Sequence, residues 1–283
     1  MSGLLDATFR RFVPSLPPLT RNRVLMAPLD AIDYLARAGQ SDLAGLPPNR
    51  MRIRTGVGNR LLGNGAYWVG SGRDFWGQQF DAGRVRPDSS ILDLGCGCGR
   101  CAIAIDRFGI GGQPFTGKYL GLDVDREMIS WCAANMDPTR FRFAHVAKRS
   151  EVYSPNESAD AGATGRVFAA EDGSIDFMFA ISVFSHLLEK DFIQYVQETR
   201  RVLRPGGRVL FSTFCMEDVD SGPDRRWSFK HRWGATFVES ERYPEAATGY
   251  ERDWVIDQGI RAGLEFDTTI PSPVQTCFVF RAK

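Results

Sequence analysis

The chain has 283 residues, of which 43% are hydrophobic and 24% charged, so it is long and apolar enough for a globular protein with a full core. Its formal net charge of +1 gives no global attraction to nucleic acid or to an anionic membrane surface. No apolar run approaches the roughly 18 residues of a membrane-spanning helix, and Arg10 and Arg11 follow the first apolar stretch, the wrong order for a signal peptide, so we expect a cytoplasmic protein.

Residues 1–84 do not follow a repeating strand–helix pattern, and we treat them as an N-terminal extension. Asp30–Gly39 has an acid suited to an N-cap, apolar residues at helical spacing and a terminal glycine, which predicts a helix. Gly63–Arg73 combines four glycines with two aromatic residues, which predicts a loop lying across another part of the molecule. A helix is expected to begin at Asp74–Phe80 and to lead toward the first strand of a sheet.

The first strong pattern is the run ILDLGCGCGR at residues 91–100, where a buried-type strand leads into glycines at positions 95, 97 and 99. Small and apolar residues of helical type follow. Strand, glycine turn and helix form the local unit of a nucleotide site, because glycine lets the backbone approach a ligand and the helix N-terminus offers free N–H groups. The third glycine comes one residue too early for a dinucleotide G-x-G-x-x-G, and no P-loop G-K-[ST] is present, so both of those sites are disfavoured.

Three cysteines beside these glycines, Cys96, Cys98 and Cys101, form C-x-C-x-x-C. A metal or Fe–S site would need a fourth ligand from a distant part of the chain. Cysteine is also a small apolar filler that suits a tight glycine turn. We favour the filler and predict no metal site.

From Pro87 onward strands and helices alternate, which predicts a parallel sheet covered by helices on both faces. The strand Tyr119–Asp123 ends in an acid 24 positions beyond Gly99, near the spacing of a carboxylate that accepts hydrogen bonds from ribose hydroxyls. Asp125 is a second candidate, but its position suits the N-cap of the helix that follows. We therefore assign the ribose to Asp123.

The remaining strands of the parallel sheet are expected at residues 141–145, 174–181 and 209–214. No acid follows the strand Phe141–His145, so the adenine contact has no side-chain candidate there. The fourth strand runs into Ser182-Val183-Phe184-Ser185-His186-Leu187. A helix with apolar residues at helical spacing then ends at Arg204-Pro205-Gly206-Gly207-Arg208, a stop built from proline and glycine.

The region after Cys215 is less regular. Residues 224–233 interleave five basic positions with three aromatic ones, which is typical either of a nucleic-acid-binding strip or of a lid over a substrate pocket. With a net charge of only +1 we favour the lid. A helix with Ile256, Ile260 and Leu264 on one face is followed by two strands, Glu265–Ile270 and Val274–Phe280, around a Pro-Ser-Pro turn.

Three motifs together resemble the class I S-adenosylmethionine (SAM)-dependent methyltransferases: h-h-D-h-G-C-G-x-G-R at residues 91–100, D-h-h-h followed by His-Leu at residues 176–187, and R-V-L-R-P-G-G-R at residues 201–208. The resemblance covers about residues 85–283. It implies an α/β fold with a doubly wound, mostly parallel seven-stranded sheet that closes with a C-terminal antiparallel hairpin. Residues 85–283 would form the SAM-binding domain, and residues 1–84 a helical extension that caps the active site.

The resemblance also implies the residues of the cofactor site. Asp93 would orient the glycine turn and the methionyl ammonium, and Asp123 would hold the ribose. The further residues expected around SAM are Gly95, Cys96, Gly97, Gly99, Val124, Ala180, Ser182, Arg73 and Tyr67. Arg100, Arg73 and Tyr67 are the candidates for the methionyl carboxylate, although Arg100 could equally be a solvated first-turn residue.

The expected activity is methyl transfer from SAM to a small molecule, most simply to a hydroxyl group of a sugar or other secondary metabolite. A hydroxyl acceptor needs its proton removed, and His186 is the best-placed general base, ahead of His145 and His231. The alternatives are an RNA or protein methyltransferase that uses the basic-aromatic strip, and a non-catalytic SAM-binding protein. Nucleic acid is disfavoured, the oligomeric state is left open, and the acceptor itself is not identified by the sequence.

Overall fold

The computed structural model describes residues 20–55, 65–146, 167–219, 227–271 and 274–283. The α-helices of this part of the chain are α1 Arg23–Ala36, α2 Asn49–Arg52, α3 Gly65–Asp81, α4 Arg100–Phe108, α5 Arg126–Asn135, α6 Glu189–Val202 and α7 Arg252–Arg261. Its strands are β1 Ser90–Leu94, β2 Lys118–Asp123, β3 Phe141–His145, β4 Ile175–Ala180, β5 Leu203–Cys215, β6 His231–Trp233, β7 Thr236–Val238, β8 Thr248–Tyr250, β9 Leu264–Ile270 and β10 Thr276–Ala282.

The central sheet confirms the doubly wound arrangement. Strands β3, β2, β1, β4 and β5 lie side by side in that order and all pair in parallel. Strand β10 pairs antiparallel with β5, and β9 pairs antiparallel with β10, which gives the expected C-terminal hairpin. Three short strands, β8, β7 and β6, extend the sheet from the end of β5 beyond the predicted seven strands.

Buried apolar side chains fill both faces of the sheet. One core lies under α3 and α4 and includes Trp68, Trp76 and Phe179. The other lies under α6 and α7 and includes Phe192, Tyr195 and Val255. Because α3 belongs to the N-terminal extension and contributes two fully buried tryptophans to the first core, the extension and the sheet share one hydrophobic interior.

The predicted helix at Asp30–Gly39 begins earlier than expected. Helix α1 starts at Arg23, where the Oδ1 atom of Asn22 accepts hydrogen bonds from the N–H groups of Val24 and Leu25, both at 3.1 Å. Asp30 lies inside the helix and accepts a 2.8 Å hydrogen bond from the backbone N–H of Arg50. The N-cap was predicted at Asp30 because an acid is a common N-cap. An acid also suits the long-range hydrogen bond that Asp30 accepts from Arg50, so the residue type alone does not distinguish the two roles.

The glycine-rich stretch predicted as a loop is helical over its described part, since α3 begins at Gly65. Gly72 explains the composition: a Cβ there would lie 2.7 Å from the Cβ of Ala104 and 3.0 Å from the backbone oxygen of Arg100. The glycine therefore allows α3 and α4 to pack closely, a reason for glycine that differs from loop formation.

The predicted face of the C-terminal helix is only partly buried. Helix α7 ends at Arg261 and its buried residues are Val255 and Gly259. Of the predicted residues, Ile256 packs against the core, Ile260 is 53% exposed, and Leu264 is buried but belongs to β9. A Cβ on Gly259 would lie 2.3 Å from the ring of Phe280 in β10. Gly259 therefore allows α7 to approach the sheet closely. A search for apolar residues at helical spacing does not detect a contact made by glycine.

The helix before the fifth strand ends earlier than the predicted stop at Arg204–Arg208, because α6 ends at Val202 and β5 already begins at Leu203. The residues that follow it already pair with β4: Leu203 lies opposite Ile175, and after a register shift Arg208 lies opposite Phe177. Within the described ranges, no helix combines the length and apolarity needed to cross a membrane.

Candidate functional site

The glycine turn follows β1, where the strand order of the sheet reverses. Strand β2 pairs with one side of β1 and β4 with the other. Gly95, Gly97 and Gly99 have φ angles of +81°, +53° and +83°, in the region that side chains other than glycine rarely adopt. The backbone oxygen of Leu122 at the end of β2 accepts hydrogen bonds from the N–H of Gly95 at 2.7 Å and of Cys96 at 3.1 Å. In open α/β sheets, this crevice at the carboxyl ends of the strands is where ligands bind.

Asp123, the last residue of β2, points at this turn. Its Oδ2 atom accepts a 2.7 Å hydrogen bond from the N–H of Gly97, and its Oδ1 atom accepts a 2.8 Å hydrogen bond from the N–H of Asp125. Desolvation raises the pKa of Asp123, opposed by these backbone hydrogen bonds. The structure therefore brings the expected ribose acid and the glycine turn into direct contact.

The residue after Val124 has the expected structural role. The Oδ1 atom of Asp125 accepts hydrogen bonds from the N–H groups of Glu127 at 3.1 Å and Met128 at 3.2 Å, so Asp125 is the N-cap of α5. Val124 contributes its backbone oxygen, which lies 3.1 Å from the Nε2 atom of His145. Both contacts fix the segment between β2 and α5 beside the turn.

Two side chains cover the glycine turn. A Cβ on Gly95 would lie 2.4 Å from Cγ2 of Val183, and a Cβ on Gly97 would lie 2.7 Å from Cγ2 of Thr55. The indole N–H of Trp68 donates a 3.3 Å hydrogen bond to the hydroxyl of Thr55. The glycines therefore serve close packing, and Thr55 of the N-terminal extension lies against the turn.

Asp93, two residues before the first glycine, is buried on β1. The hydroxyl of Tyr119 donates a short hydrogen bond to its Oδ2 atom. Desolvation raises the pKa of Asp93 to about 7, although the Tyr119 hydrogen bond and the nearby positive charge of Arg100 work in the opposite direction. Asp93 is therefore held inside the sheet behind the turn by a tyrosine.

The raised pKa of Asp93 predicts a pH-dependent stability. Because the folded protein keeps this proton up to about pH 7 while the unfolded chain loses it near 3.8, the ordinary pKa of an aspartate, the folded state binds more protons between those pH values. The free energy of unfolding should therefore fall as pH rises from about 4 to 7, with Asp93 contributing at most about 1.4 kcal/mol per pH unit.

Asp93→Asn should flatten this slope and be more stable than the parent protein at pH 8, as measured by urea unfolding at pH 5, 6, 7 and 8. Asp88→Asn is the control, because its side chain is 67% exposed. A slope that stays the same in Asp93→Asn would show that Asp93 is ionised in the folded protein.

The three cysteines beside the turn are buried thiols. Burial raises the pKa of Cys98 and of Cys101 to about 12 and that of Cys96 well above its usual value, so all three stay neutral. Among the described residues, no group of three or more His, Cys, Asp or Glu side chains is placed to hold a metal ion. These thiols pack as apolar residues.

The end of β4 carries an unusual backbone conformation. Ala180 is fully buried, and two residues later Ser182 has a φ of +58°, rare for a residue with a side chain. The N–H of Ser182 donates a 2.8 Å hydrogen bond to the hydroxyl of Ser212, and both hydroxyls contact Oε1 of Gln275. Such strain is retained where surrounding contacts over-determine it, often beside a binding site.

His186 lies in a short 3-10 helix, Phe184–His186, three residues after Val183. Its Nδ1 atom is 2.9 Å from the backbone oxygen of Glu245, an atom that only accepts hydrogen bonds. Nδ1 therefore carries a proton, and in the neutral ring the lone pair is on Nε2. The imidazole is thus in the tautomer that can take a proton through Nε2.

Tyr67 and Arg73 both lie on α3, and the contacts described for them are with other residues than the glycines of the turn. Tyr67 is 58% exposed and lines a hollow of about 460 Å³ with Gly70, Ser71, Asp74, Phe75 and Gln78. The guanidinium of Arg73 lies 5.7 Å from the ring centroid of Phe108, the last residue of α4 and the end of that helix away from the turn. The structure therefore does not bring Arg73 to the expected cofactor site.

Thr55 and Val183, which contact the turn directly, were missed by sequence reasoning. Neither residue type is distinctive, and the close approach of these two side chains to Gly95 and Gly97 is visible only in the folded structure. Residues 147–149, where an adenine contact was sought, and residues 224–226 of the basic-aromatic strip lie outside the described residues. In the rest of that strip, Trp227 and Phe229 pack against Phe214, with ring centroids at 5.0 and 4.9 Å.

Known proteins share parts of this sequence and its fold. The sequence pattern of the methyltransferase domain family matches residues 92–211. An uncharacterized 37.1 kDa protein in transposon TN4556 of Streptomyces fradiae is 27% identical over 224 residues, 74% of this chain and 52% of that protein. The ribosomal protein L11 methyltransferase of Nitrosomonas europaea is 24% identical over 191 residues, 68% of this chain and 50% of that protein.

Among solved structures, the PH0226 protein of Pyrococcus horikoshii shares the fold, with a TM-score of 0.51 and 15% identity over 73% of this chain and 87% of that chain. The chain spans about half the length of the curated relatives it matches.

Proposed function

We propose that this chain, whose residues 92–211 match the methyltransferase domain family, transfers the methyl group of SAM to a hydroxyl of a small-molecule acceptor. The observation that carries the proposal is the contact between Asp123 and Gly97, which joins a carboxylate at the end of β2 to the glycine turn after β1. A ribose held by the first would lie beside backbone N–H groups of the second.

The residues present fit a sulfonium nucleoside. Each oxygen of the Asp123 carboxylate accepts one backbone N–H, and a carboxylate oxygen has capacity for a further hydrogen bond, so both oxygens can also receive a ribose hydroxyl. The space that a Cβ of Gly95 or Gly97 would take is filled by Val183 and Thr55, so a nucleoside bound at the turn would lie beside these two side chains.

When bound, SAM supplies an electrophilic methyl carbon, and the protein has to align the acceptor and keep water away. Trp68 is fully buried and holds Thr55 over the turn, so the extension shields this region from solvent. A hydroxyl acceptor also needs a base, since its pKa is far above 7. We assign that role to Nε2 of His186, whose tautomer is set by the hydrogen bond of Nδ1 to Glu245.

The test is transfer of radiolabelled methyl from SAM by the full chain to separate pools of sugars, phenols and small amines, and to ribosomal proteins and ribosomal RNA. Label in the sugar or phenol pools is the expected result. Label only in the ribosomal protein pool would replace the proposal by its second candidate, a protein acceptor, which the similarity to a ribosomal protein L11 methyltransferase supports. SAM binding without transfer to any pool would favour a non-catalytic SAM-binding protein.

Replacing His186 by alanine should lower kcat for the hydroxyl acceptor about 100-fold or more and leave the Kd for SAM unchanged, because a general base acts on the acceptor alone. His231→Ala is the matched control, since His231 lies in β6 and pairs with Glu241 at 3.3 Å. Steady-state kinetics and a SAM titration on both variants measure this. A kcat within twofold of the parent enzyme in His186→Ala would remove the histidine from the reaction.

A further inference from the structure

Helix α1 presents the reverse of the usual amphipathic arrangement. The side facing the protein carries Met26, Asp30, Asp33 and Arg37, at the spacing of one helical face, and three of these four residues are charged. Asp33 is completely buried, and Arg37 is 7% exposed. A surface helix normally turns its charged residues to water and its apolar stripe to the core.

The outward side of α1 is apolar throughout. From Val24 to Ala36, every exposed residue is uncharged. The large apolar side chains and their exposed fractions are Val24 82%, Leu25 60%, Leu29 37%, Ile32 51%, Tyr34 69% and Leu35 69%. Single exposed apolar residues are ordinary, but a contiguous apolar face on one helix marks an interaction surface.

Ion pairs hold the helix in this orientation. Nε of Arg37 lies 2.9 Å from Oδ2 of Asp33, and Nη2 of Arg52 lies 2.5 Å from Oδ1 of the same carboxylate. Oδ2 of Asp30 lies 3.2 Å from Nε of Arg50, and Nη1 of the same arginine lies 2.9 Å from Oε1 of Glu127 at the start of α5. Rotating α1 to bury its apolar face would break these pairs and leave buried charges without partners, so the apolar face stays outward.

We propose that a second copy of this chain covers this face, with the two α1 helices packed against each other across a two-fold axis. The row Leu25, Leu29, Ile32 and Ala36 has the i, i+4, i+7, i+11 spacing of a helix–helix seam, and a row of this kind is complementary to itself. No exposed charge lies between Val24 and Ala36, so two copies meet without like-charge repulsion.

A lipid surface fits the same face less well. Helices that lie on membranes carry a basic polar face that attracts anionic lipid. Helix α1 has no lysine, and the arginines at its N-terminal end are already paired. Arg23, its first residue, lies 2.8 Å from Glu127, and Arg21 lies 3.8 Å from Asp125. One helix face is at the small end of stable interfaces, so we expect a dimer with a Kd of about 1 to 10 µM.

The test uses sedimentation velocity on the full chain from about 0.5 to 100 µM, a range that brackets this Kd. The 31.6 kDa chain should shift from monomer to dimer as concentration rises. Ile32→Asp should weaken dimerisation at least about 100-fold, because each copy would bring an uncompensated carboxylate into the seam. Ile260→Asp is the matched control: Ile260 is 53% exposed against 51% for Ile32, and it lies on α7.

Both isoleucines are exposed, so neither variant should change the thermal midpoint of the monomer, which checks that folding is retained. A monomer at every concentration overturns the proposal. That holds whichever other occupant, residues 1–19 or a lipid surface, covers the helix. Binding of the full chain to vesicles of phosphatidylcholine and phosphatidylserine, lost in Ile32→Asp, would assign the face to lipid. A dimer that survives Ile32→Asp or dissociates in Ile260→Asp would place the interface elsewhere.

Discussion

Asp123→Ala is expected to weaken SAM binding by about 100- to 10,000-fold. Hydrogen bonds to a charged group each contribute about 1.5–3 kcal/mol, and the variant loses two of them to the ribose. It also leaves the N–H groups of Gly97 and Asp125 without the acceptor that orients them at 2.7 and 2.8 Å. Isothermal titration of SAM into the parent protein and the variant measures the loss.

Asp137→Ala is the control for this experiment. Asp137 follows α5, accepts a 2.9 Å hydrogen bond from the N–H of Thr139 and lies at the opposite end of the helix from the turn. Its removal should leave the Kd for SAM within twofold. Equal affinities of Asp123→Ala and the parent protein, with the circular dichroism spectrum unchanged, would refute the ribose assignment.

Asp33→Ala is expected to lower the free energy of unfolding by about 3–5 kcal/mol, since removing one partner of a buried ion pair leaves uncompensated charge. Asp33 is fully buried between two guanidinium groups, those of Arg37 at 2.9 Å and Arg52 at 2.5 Å. Neither arginine can lose its proton, so both stay charged and the free-energy cost of burying them without a partner remains. Urea unfolding at pH 7 measures the change.

Asp257→Ala provides a control with the same helical spacing. Asp257 pairs with Arg261 four residues later at 2.6 Å, as Asp33 pairs with Arg37, but its side chain is 46% exposed. An exposed pair of this kind contributes about 0.3–0.5 kcal/mol. If the two variants lose the same stability, the buried pair is not what anchors α1.

The central sheet was predictable because its signals are local. The strands at residues 90–94, 118–123, 141–145 and 175–180 are apolar runs bounded by glycine or polar residues, and each was placed within one residue of its observed ends. The acid at the end of β2 was identified from its distance to the glycines along the chain, and the structure brings it to Gly97. Parallel strands end at the same edge, so chain order translates directly into proximity there.

The N-terminal extension was predicted poorly because its contacts are long-range. The charged side of α1 faces inward to arginines around residues 50–52, and apolar spacing alone assigns the opposite face to the core. Gly72 sits in a helix so that α4 can approach, whereas glycine by itself indicates a turn. Thr55 reaches the glycine turn only through the fold of that extension.

The central claim is that the turn at Gly95–Gly99, together with Asp123, binds a sulfonium nucleoside. The most direct measurement is isothermal titration of the full chain with SAM, with its demethylated product S-adenosylhomocysteine and with NAD. We expect saturable one-to-one binding of the first two and no heat of binding for NAD. Binding of NAD with no response to SAM would contradict it.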